Sequence, residues 1–252
     1  MRKPPQNPHD LSRHDLDDIL GTINEDVRQR FGEGKLPDYI PSLAEVPIDR
    51  FGMALALPDG KIHAVGNARE RFSIQSVSKV YTLTLALSAV GDELWKRVDR
   101  EPSGDPFNSL VQLEYEKGIP RNPFMNAGAL VTADVVLSSY DDAEATLIEF
   151  MRMRSGNPEI GSDEVVAKSE RESGHRNVAM ANFIRSYGNL KNSVDDVLAF
   201  YYLQCSLRMD CVDLARSVQY LADAGHCATS GVQVTSAEGA TRINSVMMTA
   251  GT

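Results

Sequence analysis

An α+β fold is the architecture this sequence predicts, on three observations: an early stretch of strand alternation about a tight turn, a second half of helical periodicity, and no βαβ alternation. The alternation lies in Met53-Ala54-Leu55-Ala56-Leu57 and Lys61-Ile62-His63-Ala64-Val65, joined by Pro58-Asp59-Gly60, whose residues suit a hairpin turn. An antiparallel sheet packed on a helical layer follows. Straight after the hairpin comes Phe72-Ser73-Ile74-Gln75-Ser76-Val77-Ser78-Lys79, which opens the helix Val80 to Leu87. That helix is apolar nearly all round and is therefore expected to be deeply buried.

The other elements read in order. The first residues are proline-rich and polar, so 1–11 are expected to form a disordered arm ahead of one domain over 12–252. A helix then starts with Ser12 as cap and Asp15 three residues on; Leu16, Ile19, Leu20, Ile23, Val27 and Phe31 form its core face, and Gly32 and Gly34 stop it. The loop from Gly34 to Pro47 carries Tyr39 between prolines, and few regular elements are expected between Gly91 and Asn126. Helices are predicted over Ala127–Leu137, Asp142–Arg154, Arg171–Tyr187, Val194–Leu207 and Val212–Ala224, with a last one opening on a T-x-x-E capping box, Thr235 to Glu238.

Composition narrows the function classes. The chain has 252 residues and a net charge of −9, which disfavours a general nucleic-acid or anionic-membrane binder and suits a small substrate. No stretch has the length of a transmembrane helix and the N-terminus has no apolar signal run, so a cytoplasmic protein is expected. Cys205, Cys211 and Cys227 form no Cys-x-x-Cys and read as reduced, buried residues; the five histidines show no metal spacing.

The chemistry-bearing feature is Ser76-x-x-Lys79. Three positions along a helix bring both side chains to one face, where a lysine can take the serine proton if burial lowers its pKa. On the motif alone, Ser76 as a helix cap and Lys79 as a solvated lysine is the competing reading. The setting favours chemistry, because a hairpin feeding a buried helix that opens with Ser-x-x-Lys is how serine β-lactamases and penicillin-binding proteins are built.

From about Tyr39 onward the chain strongly resembles the serine-dependent glutaminases, which share the β-lactamase-like fold. The resemblance rests on Asp38-Tyr39-Ile40-Pro41, Phe72-Ser73-Ile74-Gln75-Ser76, Glu101-Pro102-Ser103-Gly104, Asn122-Pro123-Phe124-Met125-Asn126-Ala127-Gly128-Ala129 and Ser169-Glu170-Arg171-Glu172-Ser173-Gly174-His175-Arg176-Asn177, in the family's order. It implies hydrolysis of L-glutamine to glutamate and ammonia through an acyl-enzyme, with Ser76 as nucleophile and Lys79 as its base. Tyr39, Asn126, Glu170, Asn177 and Tyr201, with Ser76, match substrate-holding positions. The resemblance implies no cofactor and a homo-oligomer, commonly a tetramer. The sequence departs from the family at Gly251-Thr252, where glutaminases continue into a tyrosine-bearing turn, further strands and a Lys-Ser-Gly-Val segment. The chain is thus expected to be a C-terminally truncated domain, with a catalytically impaired homologue that only binds substrate or partner subunits as the alternative. A β-lactamase or peptidase would share Ser-x-x-Lys but should carry a signal peptide.

Each substrate residue also has a plainer reading. Glu170 suits a solvated first helical turn, Asn126 a cap for the helix that follows, Asn177 an exposed helix position and Tyr201 the core. Glu170 could take the substrate ammonium, while the amides and phenols serve its carboxylate and carbonyl.

Overall fold

The computed structural model describes residues 13–38, 40–104, 106–227 and 230–251. The expected arm, the Ser12 cap and Tyr39 lie outside them. Chain order runs α1 (Arg13–Arg28), α2 (Pro41–Ala44), β1 (Gly52–Ala56), β2 (Ile62–Gly66), β3 (Phe72–Ser73), α3 (Lys79–Val90), α4 (Val111–Tyr115), α5 (Asn126–Ser139) and α6 (Ala143–Ser155). It continues with β4 (Gly161–Ser162), α7 (Glu164–Ser173), α8 (His175–Ser186), α9 (Val194–Cys205), β5 (Leu207–Met209), α10 (Cys211–Ser217), α11 (Gln219–Ala222) and α12 (Ala237–Ala250).

The α+β class predicted from sequence holds. β1 and β2 form the expected antiparallel hairpin, with Ala54 opposite Ala64. A second antiparallel sheet, in the order β3, β5, β4, escapes sequence reading because its strands are two or three residues long, too short to show alternation. Its effect is topological: Ser73 pairs with Arg208, so the residues leading to Ser76 are tied to the end of α9.

At the centre, α3 and α5 lie side by side with α9 packed on α5. Nine of the twelve residues of α3, Lys79 to Leu87, are buried, so this helix owes its stability to tertiary burial rather than amphipathic patterning. Fully burying each large apolar side chain there contributes roughly 1.5–3 kcal/mol. The core is continuous from Ile74 through Val80, Leu83, Leu130, Val131 and Leu147 to Ile243.

Several boundaries differ from the sequence expectation for identifiable reasons. The helix predicted over 171–187 matches α8 and only the last three residues of α7, which begins seven residues earlier at Glu164 under an Asp163 cap; the two are broken at Gly174, where a Cβ would stand 2.1 Å from Tyr202 Oη and 2.7 Å from Glu170 O. The helix predicted over 212–224 is also two, α10 and α11, and Leu207 leaves α9 for β5. Ser236, not Thr235, caps α12, its Oγ accepting from Gly239 N at 3.0 Å. The face predicted for α1 is only partly covered: Leu20 is buried, whereas Ile19 and Ile23 are 44 % and 38 % exposed. This helix meets the rest of the chain along the hairpin, chiefly β2, with Asp17 Oδ1 2.6 Å from His63 Nδ1, so only one edge of its apolar stripe finds a partner. No helix among the described residues is long and apolar enough to cross a membrane.

Candidate active site

Ser76 lies in a 3₁₀ turn, Gln75–Ser78, whose axis runs into α3. As second residue of that turn it keeps an N–H that the turn's own carbonyls cannot reach, a donor aimed outward at a helix N-terminus. The residue before it, Gln75, has φ +49°, a left-handed conformation that in a non-glycine residue costs about 1–3 kcal/mol and concentrates at functional sites. Gln75 O accepts from Ser78 Oγ at 2.7 Å, which closes the turn from inside.

One helical turn on, Lys79 is 3 % exposed. Its Nζ does not hydrogen-bond to Ser76, contrary to the contact expected from spacing; it donates to Phe124 O at 2.9 Å and Asn126 Oδ1 at 2.8 Å. The reason is local supply: the loop before α5 offers two carbonyl-type acceptors to a buried amine, while among the described residues the Ser76 hydroxyl takes no hydrogen bond. Burial drives the Lys79 pKa down to about 8, against the attraction of Cys205 and Glu170. With two N–H groups fixed, a neutral amine has its lone pair left over.

Asn126 does not cap α5; Met125 holds the cap position, without a side-chain bond. Instead the Asn126 side chain bridges Lys79 and Asn177, donating from Nδ2 to Asn177 Oδ1 at 3.1 Å. Asn177 is buried at 9 % exposure rather than solvated. Glu170 sits late in α7, not in its first turn, and is 6 % exposed. Burial pushes its pKa up to about 7, with the Gln75 amide and Lys79 pulling the other way. Asn126, Glu170 and Asn177 line one cavity of about 130 Å³ together with Ile40, Phe107 and Gly174. That is roughly the share of four liquid waters, the scale of a small amino acid.

Ser76, Lys79 and Tyr201 do not line this cavity. Lys79 adjoins it through Asn126. Tyr201 is 3 % exposed on α9, its hydroxyl interacting with Cys205, and burial raises its pKa well above the usual value. Two residues of the neighbourhood were not singled out from sequence. Gln75 links Ser73, by Nε2 to Oγ at 3.1 Å, with the Glu170 carboxylate. Cys205, fully buried, lies against Ser78, Tyr201, Lys79 and Glu170, and burial pushes its thiol up to about 12. A left-handed glutamine ahead of the serine leaves no trace in residue patterning, and Cys205 reads as an ordinary core residue.

Fold and site together define a β-lactamase-like α+β protein whose buried central helix opens with Ser-x-x-Lys beside a small polar cavity. The chain belongs to the glutaminase family, whose model matches residues 34–252. It is 52 % identical over 239 residues to a glutaminase of Rhizobium johnstonii, a match covering 94 % of this chain and 77 % of that protein. A thermolabile glutaminase of Rhizobium etli is 51 % identical over the same shares. Among solved structures, Mglu in its tris and glutamate form superposes with a TM-score of 0.87 at 33 % identity, over 95 % of this chain and 54 % of that one, so the chain spans about half of the Mglu chain. A probable glutaminase, YbaS, gives 0.87 at 28 % identity, over 96 % and 79 %.

Proposed function

We propose that the chain hydrolyses the side-chain amide of L-glutamine to L-glutamate and ammonia, with Ser76 as nucleophile, Lys79 as base and an acyl-enzyme between two steps. Membership of the glutaminase family supports the substrate and reaction class. The observation that carries the residue roles is the state of Lys79: buried, pulled down to about 8, with two of its N–H groups tied to Phe124 O and Asn126 Oδ1. Such an amine is a base of the right strength, since a catalytic pKa near the working pH gives the best proton transfer. Hydrogen bonds between nucleophile and base are commonly loose before substrate binds, which accommodates the absent Ser76 to Lys79 bond.

Lys79 takes the Oγ proton as Oγ attacks the amide carbon; the Ser76 N–H, at the start of its helical turn, stabilises the oxyanion; Lys79 then delivers the proton to the leaving ammonia. Water, deprotonated by the same amine, attacks the acyl carbon; the bond to Oγ breaks, Lys79 returns the proton to Oγ, and glutamate is released. Glu170 binds the substrate ammonium, and Asn126, Asn177, Tyr201 and Tyr39 serve its carboxylate and carbonyl. That Mglu has been solved in a glutamate form supports a glutamate-shaped site in this family. The size and polar lining of the cavity around Glu170 agree with it. Assembly as a homotetramer, a cytoplasmic setting and the absence of any cofactor complete the proposal. Ammonia release from L-glutamine tests it, with Ser76→Ala and L-asparagine as controls: Ser76-dependent turnover selective for glutamine is expected, and activity surviving Ser76→Ala refutes the assignment.

A further inference from the structure

Two stretches that the reaction chemistry leaves unexplained, Glu101-Pro102-Ser103-Gly104 and Asn122-Pro123-Phe124-Met125, meet at one side chain. Asn122 is 1 % exposed. Its Nδ2 donates to Glu101 O at 2.8 Å, and its Oδ1 accepts the N–H groups of Phe124 and Met125, both at 3.0 Å. Backbone bonds from Asp99 N to Pro120 O and from Glu101 N to Arg121 O, each 2.8 Å, pair the same two segments. On its other side the loop rests on α5, where a Cβ at Gly128 would stand 1.9 Å from Asn122 O. The glycine is required there because the loop backbone occupies the side-chain space.

The consequence falls on Lys79. A carbonyl is aimed by its peptide plane, and the Phe124 C=O shares one rigid plane with the Met125 N–H. Asn122 Oδ1 holds that N–H at one edge of the plane, and Lys79 Nζ donates to the Phe124 oxygen on the opposite edge, at 2.9 Å. The next residue, Asn126, supplies the amine's other acceptor at 2.8 Å. Both acceptors are therefore set by the turn that Asn122 closes.

We propose that Asn122 is a positioning residue for the hydrolysis: by anchoring the Phe124–Met125 peptide plane it aims the Phe124 carbonyl at Lys79 Nζ, and so fixes the direction in which the amine presents its lone pair. This rests on Lys79 acting as base for Ser76. Asn122 itself touches neither substrate nor nucleophile. It answers for the asparagine and glycine of the Asn-Pro-Phe-Met-Asn-Ala-Gly stretch, which Asn126 alone does not explain.

The test compares kcat, KM and the pH profile of Asn122→Ala, Asn122→Ser, Asn122→Asp, Gly128→Ala and Lys79→Ala, each melted to confirm that it is folded at the assay temperature. Freeing the peptide plane displaces the base by a fraction of a bond length or more, and misplacement of about 1 Å costs on the order of a hundredfold in rate. Asn122→Ala should therefore lower kcat about a hundredfold with KM within about threefold. Its rising pH limb should move alkaline as the loosened loop admits water to the amine; Glu170 and Cys205, the ionisable groups that face Lys79 from α7 and α9, are unchanged in Asn122→Ala, whereas Asn122→Asp adds a carboxyl of its own. Asn122→Ser, reaching fewer donors, should fall between, as should Asn122→Asp, which keeps the acceptor for the Phe124 and Met125 N–H groups but loses the donor to Glu101 O. Gly128→Ala should reproduce the loss by pushing the loop away without removing a polar group. Folded Asn122→Ala or Asn122→Ser with parental kcat and pH limb overturns the proposal, as does a loss equal at every pH that follows the unfolded fraction. If instead Lys79→Ala keeps parental turnover, the base assignment has failed and not the geometry of the loop.

Discussion

Replacing Glu170 by glutamine should stabilise this protein while abolishing its proposed binding of glutamine, and the size of the effect follows from one carboxyl. Glu170 is 6 % exposed, and burial raises its pKa from 4.5 to about 7. The sign follows from proton counts. Between those values the folded chain holds a proton that the unfolded chain has released, so the carboxyl's stabilising contribution is whole below pH 4.5 and lost as pH rises through 7. Above that, the ionised carboxylate burdens the fold. At about 1.4 kcal/mol per pH unit the burden approaches roughly 3 kcal/mol at pH 8 and only about 1 kcal/mol at pH 5. A neutral isostere removes it, so Glu170→Gln should raise stability at pH 8 by up to about 3 kcal/mol, on the order of 5–10 °C in Tm for a chain of this size. Denaturant and thermal unfolding at pH 5 and pH 8 read the difference, with glutamate binding followed by calorimetry. A loss of stability at pH 8, or a gain equal at both pH values, refutes the reasoning. Stability gained where binding is lost is the trade expected of a desolvated binding charge.

Further perturbations separate catalysis from scaffolding. With Lys79 as the proposed base, only its neutral form is active, so kcat/KM should rise as pH increases through about 8 and level off above it; a profile flat from pH 6 to 9 contradicts that role. Asp134 is fully buried, bonded to Arg97 Nη2 at 2.6 Å and to the N–H groups of Lys191 and Asn192. Its removal leaves the N–H groups of Lys191 and Asn192 without their acceptor and the partly buried Arg97 with only Asn189 among the described residues, so Asp134→Ala should cost about 2–4 kcal/mol in denaturant unfolding while KM of the folded fraction stays unchanged. Gly174→Ala places a Cβ against Tyr202 Oη and Glu170 O, so α7 and α8 must part: a destabilisation of about 1–3 kcal/mol with a raised KM is expected, and an unchanged KM counts against Glu170 as a ligand.

How much could be read in advance depended on whether a signal was local. The hairpin, the buried α3 and the helices α5, α6, α9 and α12 follow from alternation, apolar continuity and caps within single stretches, and they came out within a few residues. The break at Gly174 did not, because it depends on Tyr202, a residue 28 positions away. The three-stranded sheet did not, because two- and three-residue strands carry no period. In the site, Ser76 and Lys79 were legible as a motif, yet the Lys79 hydrogen bonds depend on where the loop at 122–126 arrives in space, a long-range fact. Glu170 and Asn177 read from sequence as a solvated acid and an exposed helix position; their burial comes from the packing of α7 and α8 against α9 and α5. Tyr201 shows the opposite case, since an aromatic on a helix suits the core and the structure places it there, beside Cys205 rather than in the cavity wall.

The central claim is that Ser76 is acylated during turnover. Acid-quenching the chain while it turns over L-glutamine, then mapping its peptides by mass spectrometry, tests this most directly. A glutamyl adduct confined to the peptide bearing Ser76, absent from Ser76→Ala and reduced in Lys79→Ala, is the predicted result; rapid turnover with no adduct at any quench time, or turnover by Ser76→Ala, contradicts it.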